Sequence, residues 1–352
     1  MATQYDAILL VSFGGPEQPD DVIPFMENVT RGRDVPRERL EEVSQHYVQF
    51  GGRSPINDQN RALKAALEQV LADQGPELPV YFGNRNWHPL LPDTLRQMRD
   101  DGIGRAICFV TSAYSSYSGC RQYRENLAEA RAEVGEGAPE LDKLRVYYNH
   151  PGFVEPQIDL IERALADLPA AVRDDAHLVF TTHSIPRTMS RHCDYEAQHY
   201  ETCRIVMESF PDRSWDLVFN SRSGPEFVPW LEPDVNDHLE ALHERGVPGV
   251  VVVPVGFISD HMEVIYDLDV EAEETAGRLG LPFARAGTVG IDPRFVAMIR
   301  ELVLERLEDA PKRAFGTRGP NWDACPVDCC FTPGQDAKDV VASAPSRPRP
   351  GR

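Results

Sequence analysis

The chain has 352 residues, enough for two domains of ordinary size, and its 41% hydrophobic and 26% charged content is that of a water-soluble globular protein. A formal net charge of −20 excludes binding of nucleic acid through a broad basic surface, and any anionic ligand needs a local basic patch. The longest apolar stretch, around Val250 to Phe257, is far too short for an integral membrane segment and contains Pro254.

The chain opens with MATQYDAILLVSF, which lacks the basic region and cleavage site of a signal peptide, so a cytoplasmic protein with reduced thiols is expected. Within it, AILLVSF (7–13) is the first of the short apolar runs that predict strands. PVYFG (79–83), AICFVTS (106–112), RVYYN (145–149), HLVFTTH (177–183), DLVFNS (216–221) and GVVVVPVGF (249–257) follow. Their apolar residues are consecutive rather than alternating, the pattern of strands buried on both faces of a parallel sheet. Amphipathic runs between them, such as ALKAALEQVLADQ (62–74) and VNDHLEALHERG (235–246), predict helices. Repeated strand–helix units predict an α/β protein with two doubly wound parallel sheets and a ligand cleft at the carboxyl ends of the strands. We place an N-terminal domain at 1–150, a second at 151–290, a helix and cysteine-bearing extension at 291–330, and a disordered tail at 331–352. No internal repeat is visible.

Polar residues that end apolar strands carry the chemistry. The first strand runs into SFGGP (12–16), whose glycines permit either close approach to a ligand or a tight turn, without a nucleotide motif. The fifth ends in TTHSIP and presents His183. After the seventh, Asp260, His261, Glu263, Asp267 and Glu271 begin a helix, and the four-residue steps from 263 to 267 to 271 align three carboxylates on nearly one face. That row is either a solvated acidic face or, beside imidazole, a set of hard ligands for a divalent cation such as iron(II), or a proton relay.

Three of the seven cysteines crowd into CPVDCC (325–330). Cys325, Cys329 and Cys330 offer three thiolates on a short loop, where a thiolate metal or cluster site takes four. Cys108, inside a predicted strand, reads as core packing.

Together, LLVSFGGP, RGR…HYVQFGGRSPI (31–56), TSAYSSYSGCRQY (111–123), FTTHSIP (180–186) and VPVGFISDHMEVIYDLDVEA (253–272) resemble the ferrochelatases, which insert ferrous iron into a porphyrin. The resemblance runs in order and spacing from near the first residue to about residue 310. It implies a chelatase fold of two Rossmann-like domains with porphyrin in the cleft between them. It implies His183 as the base for the pyrrole protons and Glu263 as its acidic partner. Both would meet the substrate Fe2+, with Asp267 and Glu271 extending a relay. Porphyrin contacts implied by matching segments are Phe13, Arg31, Arg33, Tyr47, Ser54 and Tyr123. Phe13 stands where several bacterial relatives carry Tyr, and phenylalanine cannot ligate iron; His46 stands where some relatives have Arg.

Some ferrochelatases hold a 2Fe-2S cluster, with three cysteines from a C-terminal extension and one from the body. By that resemblance the ligands here are Cys120, Cys325, Cys329 and Cys330, with zinc as the competing occupant; Cys193 and Cys203 match no cluster position. Remote from the His183–Glu263 chemistry, such a cluster would anchor the extension. The segment 22–50, which in protoporphyrin-handling relatives forms an apolar lip, is mainly charged, with Ile23, Phe25 and Met26 as its small apolar group. That favours the tetra-anionic coproporphyrin III, giving coproheme in haem biosynthesis, over protoporphyrin IX. Alternatives are a chelatase for another metal and tetrapyrrole, and a non-catalytic porphyrin or haem carrier. Transient contacts with other haem-pathway enzymes are expected from the family alone.

Overall fold

The computed structural model describes residues 5–32, 35–224, 227–331, 340–341 and 343–344, and in it the apolar runs build two four-stranded sheets. The first contains β1 (Ala7–Ser12), β2 (Val80–Asn84), β3 (Arg105–Val110) and β4 (Glu140–Lys143), in the order β2-β1-β3-β4. The second contains β5 (His177–His183), β6 (Trp215–Asn220), β7 (Val250–Val253) and β8 (Phe283–Arg285), in the order β6-β5-β7-β8. Every pairing in both sheets is parallel. The two orders are the same permutation, a repeat of topology that the residues themselves do not display.

Helices α1 (Val22–Val29), α2 (Arg37–Val48) and α3 (Ile56–Gln74) lie between β1 and β2, α4 (Leu91–Asp100) before β3, and α5 (Gln122–Val134) before β4. Helix α6 (Pro151–Asp167) and the single turn α7 (Ala170–Arg173) lead into β5, and α8 (Arg187–Ser190) and α9 (Tyr195–Met207) follow it. Helix α10 (Val235–Glu244) precedes β7. Between β7 and β8 come α11 (Met262–Ile265), a π-helical turn (Asp267–Ala272) and α12 (Glu273–Leu279); α13 (Pro293–Glu308) follows β8. Helices cover both faces of each sheet, so the central strands are apolar throughout: Ile8 to Val11 and Val250 to Val252 are wholly buried. Each such side chain contributes about 1.5–3 kcal/mol of transfer free energy. Among the described residues, no helix is long and apolar enough to cross a membrane.

One expected strand is not a strand. In RVYYN (145–149) all five residues are buried, yet β4 ends at Lys143 and is built instead from the polar ELDK. The apolar run is a covered connection between the sheets. Tyr147 donates its hydroxyl to Val110 O at 3.1 Å. The Arg145 guanidinium forks onto Glu305 of α13 at 2.7 and 2.8 Å. Burial produces the same composition in a crossing segment as in a strand, and β4, at a sheet edge, escapes the apolar signature.

The tail assignment also needs correction where it is described. Val341 is buried in the core cluster beneath β1 and β3 and bonds Arg124 through both its N–H and its carbonyl, at 3.3 and 3.0 Å. Ser343–Ala344 pair in parallel with Cys325–Pro326. The remainder of 332–352 lies outside the described residues.

Candidate active site

His183 is the last residue of β5, in register with Asn220 at the end of β6. The chain after β7 crosses directly over this strand end. A Cβ on Gly256 would fall 2.1 Å from Thr182 Oγ1, so only glycine fits there. Beneath, Thr182 Oγ1 contacts Tyr195 OH at 2.8 Å and His199 Nε2 at 2.9 Å, and Tyr195 OH donates to His183 O at 2.9 Å. This buried net fixes the backbone that presents the imidazole. His183 Nδ1 is engaged by the carbonyl of Ser184, leaving Nε2 to face Glu263 Oε1 at 3.3 Å. The two side chains remain 30% and 42% exposed, open to a ligand.

Glu263 is held by its helix start. His261 caps α11 by accepting the Glu263 N–H at Nδ1, 3.2 Å away, and the same nitrogen is 3.3 Å from Glu263 Oε2. Asn220 Nδ2 donates to Glu263 O at 2.8 Å and to Asp267 Oδ2 at 3.0 Å; Ser221 Oγ also donates to Asp267 Oδ2. The regular helix predicted here is not formed: the Glu271 N–H reaches Tyr266 O, five residues back. In an α-helix a four-residue step overshoots the turn of about 3.6 residues, whereas in the wider π turn it falls short, so the two drifts of the row run in opposite directions.

The pair shares one proton at rest. Burial opposes protonation of His183, but the Glu263 carboxylate outweighs it and raises the imidazole from 6.5 to about 9. Burial pushes Glu263 up, and the charge on His183 overrides it, bringing the carboxyl to about 2. Burial drives Asp267 up to about 7; bonds from Ser221 and Asn220 oppose this, while Glu263 and Glu271 add to it. Glu271 is raised by burial, then by Asp234 and Glu274. An ion pair thus adjoins a carboxyl that titrates near neutrality, an arrangement able to meet a divalent cation or to pass a proton.

From the first sheet's side, Tyr47 and Tyr123 lie within electrostatic reach of Glu263. His46 stacks on Tyr266 with ring centroids 3.9 Å apart, joining α2 to the end of α11. Phe13 packs edge-on against Phe25, which packs against Tyr47. Arg85 stands 5.6 Å from the Phe13 ring and 4.5 Å from that of Tyr123. Arg31 lies on the exposed side of the segment, bonded to Asn28. Ser54 is buried under the SFGGP turn, where a Cβ on Gly15 would meet it at 2.8 Å. The turn's glycines therefore answer to packing within the chain. Arg33 lies outside the described residues.

The structure brings the four cysteines of the predicted set together. Cys120 interacts with Cys325, and Cys325 with Cys329. Cys329 and Cys330 have sulfurs 3.8 Å apart. Cys193 lies near Cys329 and Cys330, a neighbour that sequence spacing does not reveal. Two buried arginines hold the loop by its carbonyls: Arg124 donates to Pro326 O and Cys325 O at 3.3 Å, and Arg121 to Val327 O and to Cys329 O at 3.3 Å. Arg121 follows Cys120 directly in CRQYRE and Arg124 comes one helical turn later, and Asn220 is the last residue but one of a predicted strand. Those were the available signals; Arg85 and Tyr195 had none.

A profile of the ferrochelatase family matches residues 5–307. The chain is 54% identical to the coproporphyrin III ferrochelatase of Streptomyces coelicolor, over 98% of each chain. It is 52% identical to a ferrochelatase of Rhodopirellula baltica, over 94% of each. Among solved structures it is similar to the cobalt-bound sirohydrochlorin chelatase SirB of Bacillus subtilis subspecies spizizenii. The TM-score is 0.51 at 12% identity, covering 87% of this chain and 97% of that one. That likeness extends to the fold.

Proposed function

Because the chain belongs to the ferrochelatase family, we propose that it inserts iron(II) into coproporphyrin III in the cytoplasm, and that His183 and Glu263 carry the reaction. The observation that carries this reading is the 3.3 Å approach of His183 Nε2 to Glu263 Oε1 at an open strand end, with Asp267 behind them.

A porphyrin must lose two inner protons as iron enters, and bending the ring exposes its nitrogen lone pairs. At rest His183 is an imidazolium and cannot accept a proton. Iron(II) approaching Glu263 cancels the charge that stabilises that imidazolium. The proton then leaves toward Asp267, which titrates near 7, and Glu271 passes it outward. His183, now neutral, takes one pyrrole proton, releases it along the same row, and then takes the second. Phe13 packs against the opposite face of the macrocycle without ligating metal, Tyr47 and Tyr123 line the ring, and Arg31 and Arg33 serve the propionates.

The choice of coproporphyrin is supported by the lip. Phe25 and Met26 are buried against Leu40, with Phe13, Tyr47 and Trp87 packed on them, so the apolar group of α1 faces inward. Apart from Gln45 and Val48, what α2 exposes is charged: Arg37, Glu38, Arg39, Glu41 and Glu42. One exposed apolar residue, Val48, is too little for an interfacial helix, so the lipid-facing lip of a protoporphyrin enzyme is missing from this face. The names of the close actinobacterial relatives support the same substrate. Iron insertion into both porphyrins in detergent-free buffer tests this. The expected result is a kcat/KM at least tenfold higher for coproporphyrin III; a preference for protoporphyrin IX would sink the assignment.

We further propose that Cys120, Cys325, Cys329 and Cys330 hold a 2Fe-2S cluster. The donor set fits: four adjacent thiols lie beside Lys143, a buried ammonium whose hydrogen bond goes to the Leu144 carbonyl, and beside Arg124. A cluster with four thiolates is anionic, which these cations match. When bound it supplies covalent links between the start of α5 and the extension. Cys120→Ser is expected to lose the visible absorption of porphyrin-free protein and to lower its thermal midpoint. Colourless wild-type protein with bound zinc would decide for the competing metal.

A further inference from the structure

We propose a second divalent-metal site, built by His177, Asp216 and His238 at the end of the second sheet away from His183. His177 begins β5, Asp216 lies on neighbouring β6, and His238 projects from α10. His177 Nε2 and His238 Nε2 stand 3.0 and 3.2 Å from the same oxygen, Asp216 Oδ2. All three ligand atoms lie within 4.8 Å of one another.

The arrangement is that of ligands more than that of a salt bridge. His177 is 2% exposed, and neither its Nε2 nor that of His238 has a partner in hydrogen-bonding geometry despite the close carboxylate. His177 Nδ1 is 2.7 Å from Ser214 Oγ, an outer contact that can take the ring proton and leave the Nε2 lone pair facing inward. Burial lowers both imidazoles below their ordinary pKa against the raising effect of the Asp216 carboxylate, with Arg245, and for His177 also His238, adding to the lowering. Arg245 is the nearby cation and works against a positive ion. Asp216 opposes it, and its side chain, 42% exposed, gives the site access to solvent.

Two imidazoles and one carboxylate, open to solvent on the Asp216 side, suit a first-row divalent ion such as zinc, cobalt or iron(II). His177 and His183 are six residue steps apart along β5, about 20 Å of strand. An ion here is therefore off the path of the iron being inserted. It cross-links β5, β6 and α10, and so stabilises the fold by mass action.

Tag-free, full-length protein titrated with Co2+ and followed by its visible d–d bands, with Zn2+ calorimetry in parallel, tests this. His183→Ala is expected to keep the equivalent bound by wild type. His238→Gln should lose it, binding at least tenfold more weakly, with iron insertion unchanged. Zn2+ should raise the thermal midpoint of wild type by more than it raises that of His238→Gln. Asp216→Asn, at a more exposed position, repeats the test if His238→Gln folds poorly. Equal stoichiometry and affinity in wild type and in a folded, active variant of either residue would overturn the site; so would loss of the equivalent in His183→Ala alone.

Discussion

Replacing His183 with Ala should slow iron insertion by roughly 10²–10⁴-fold, the usual worth of a general base, while coproporphyrin III binds within a few-fold of wild type. The side chain ends a rigid strand and its Nε2 opens toward the ligand space, so truncation removes a proton acceptor with little loss of packing. An unchanged rate, or porphyrin affinity falling in step with the rate, would remove His183 from the chemistry. Glu263→Gln tests the electrostatics of the pair. With the carboxylate present His183 titrates at about 9. Without it, burial lowers the imidazole against only the Ser184 carbonyl and Asp267, so its titration, followed by NMR, should fall well below 9. An inflection that stays near 9 contradicts the pairing. The sign for stability follows. The pair's contribution is complete between about pH 4.5 and 6.5, the unfolded values, and it declines as pH rises toward 9 or falls toward 2.

Glu305→Leu should destabilise the fold by about 3–5 kcal/mol, because it strands the Arg145 guanidinium in a dry interior. The two side chains are 3% and 0% exposed and share two hydrogen bonds, and Arg145 reaches Arg313 O at 2.9 Å as well. The pair ties the connection between the sheets to α13, which itself packs in the core shared with α3 and α6. Arg145→Leu combined with Glu305→Leu should recover most of the loss, since an apolar pair needs no compensating charge. Urea unfolding of the three variants measures this. A single substitution costing less than 1 kcal/mol, or a double as unstable as the single, would contradict the account.

Central strands were legible because helices bury them on both faces: β1 and β5 read directly from AILLVSF and HLVFTTH. The edges were not. ELDK and FAR carry no apolar run, and RVYYN carries one for a different reason, burial under α13. The acidic row was visible in its spacing, but the π turn within it depends on backbone hydrogen bonds that no residue pattern announces. Cys120 could be joined to CPVDCC only through the family resemblance. The arginines that secure the loop stood next to it in CRQYRE. His177 and His238 are 61 positions apart in the chain, with Asp216 between them, and sequence spacing gives no hint that the three meet. Strand register and a helix face bring them together.

The most direct test of the central claim is a count of product per chain. Purified protein mixed with excess coproporphyrin III and iron(II), under anaerobic conditions, should form many equivalents of coproheme at a rate that His183→Ala does not reach. Formation that stops at one equivalent per chain, with the same rate in both proteins, would make the chain a porphyrin carrier and contradict the assignment.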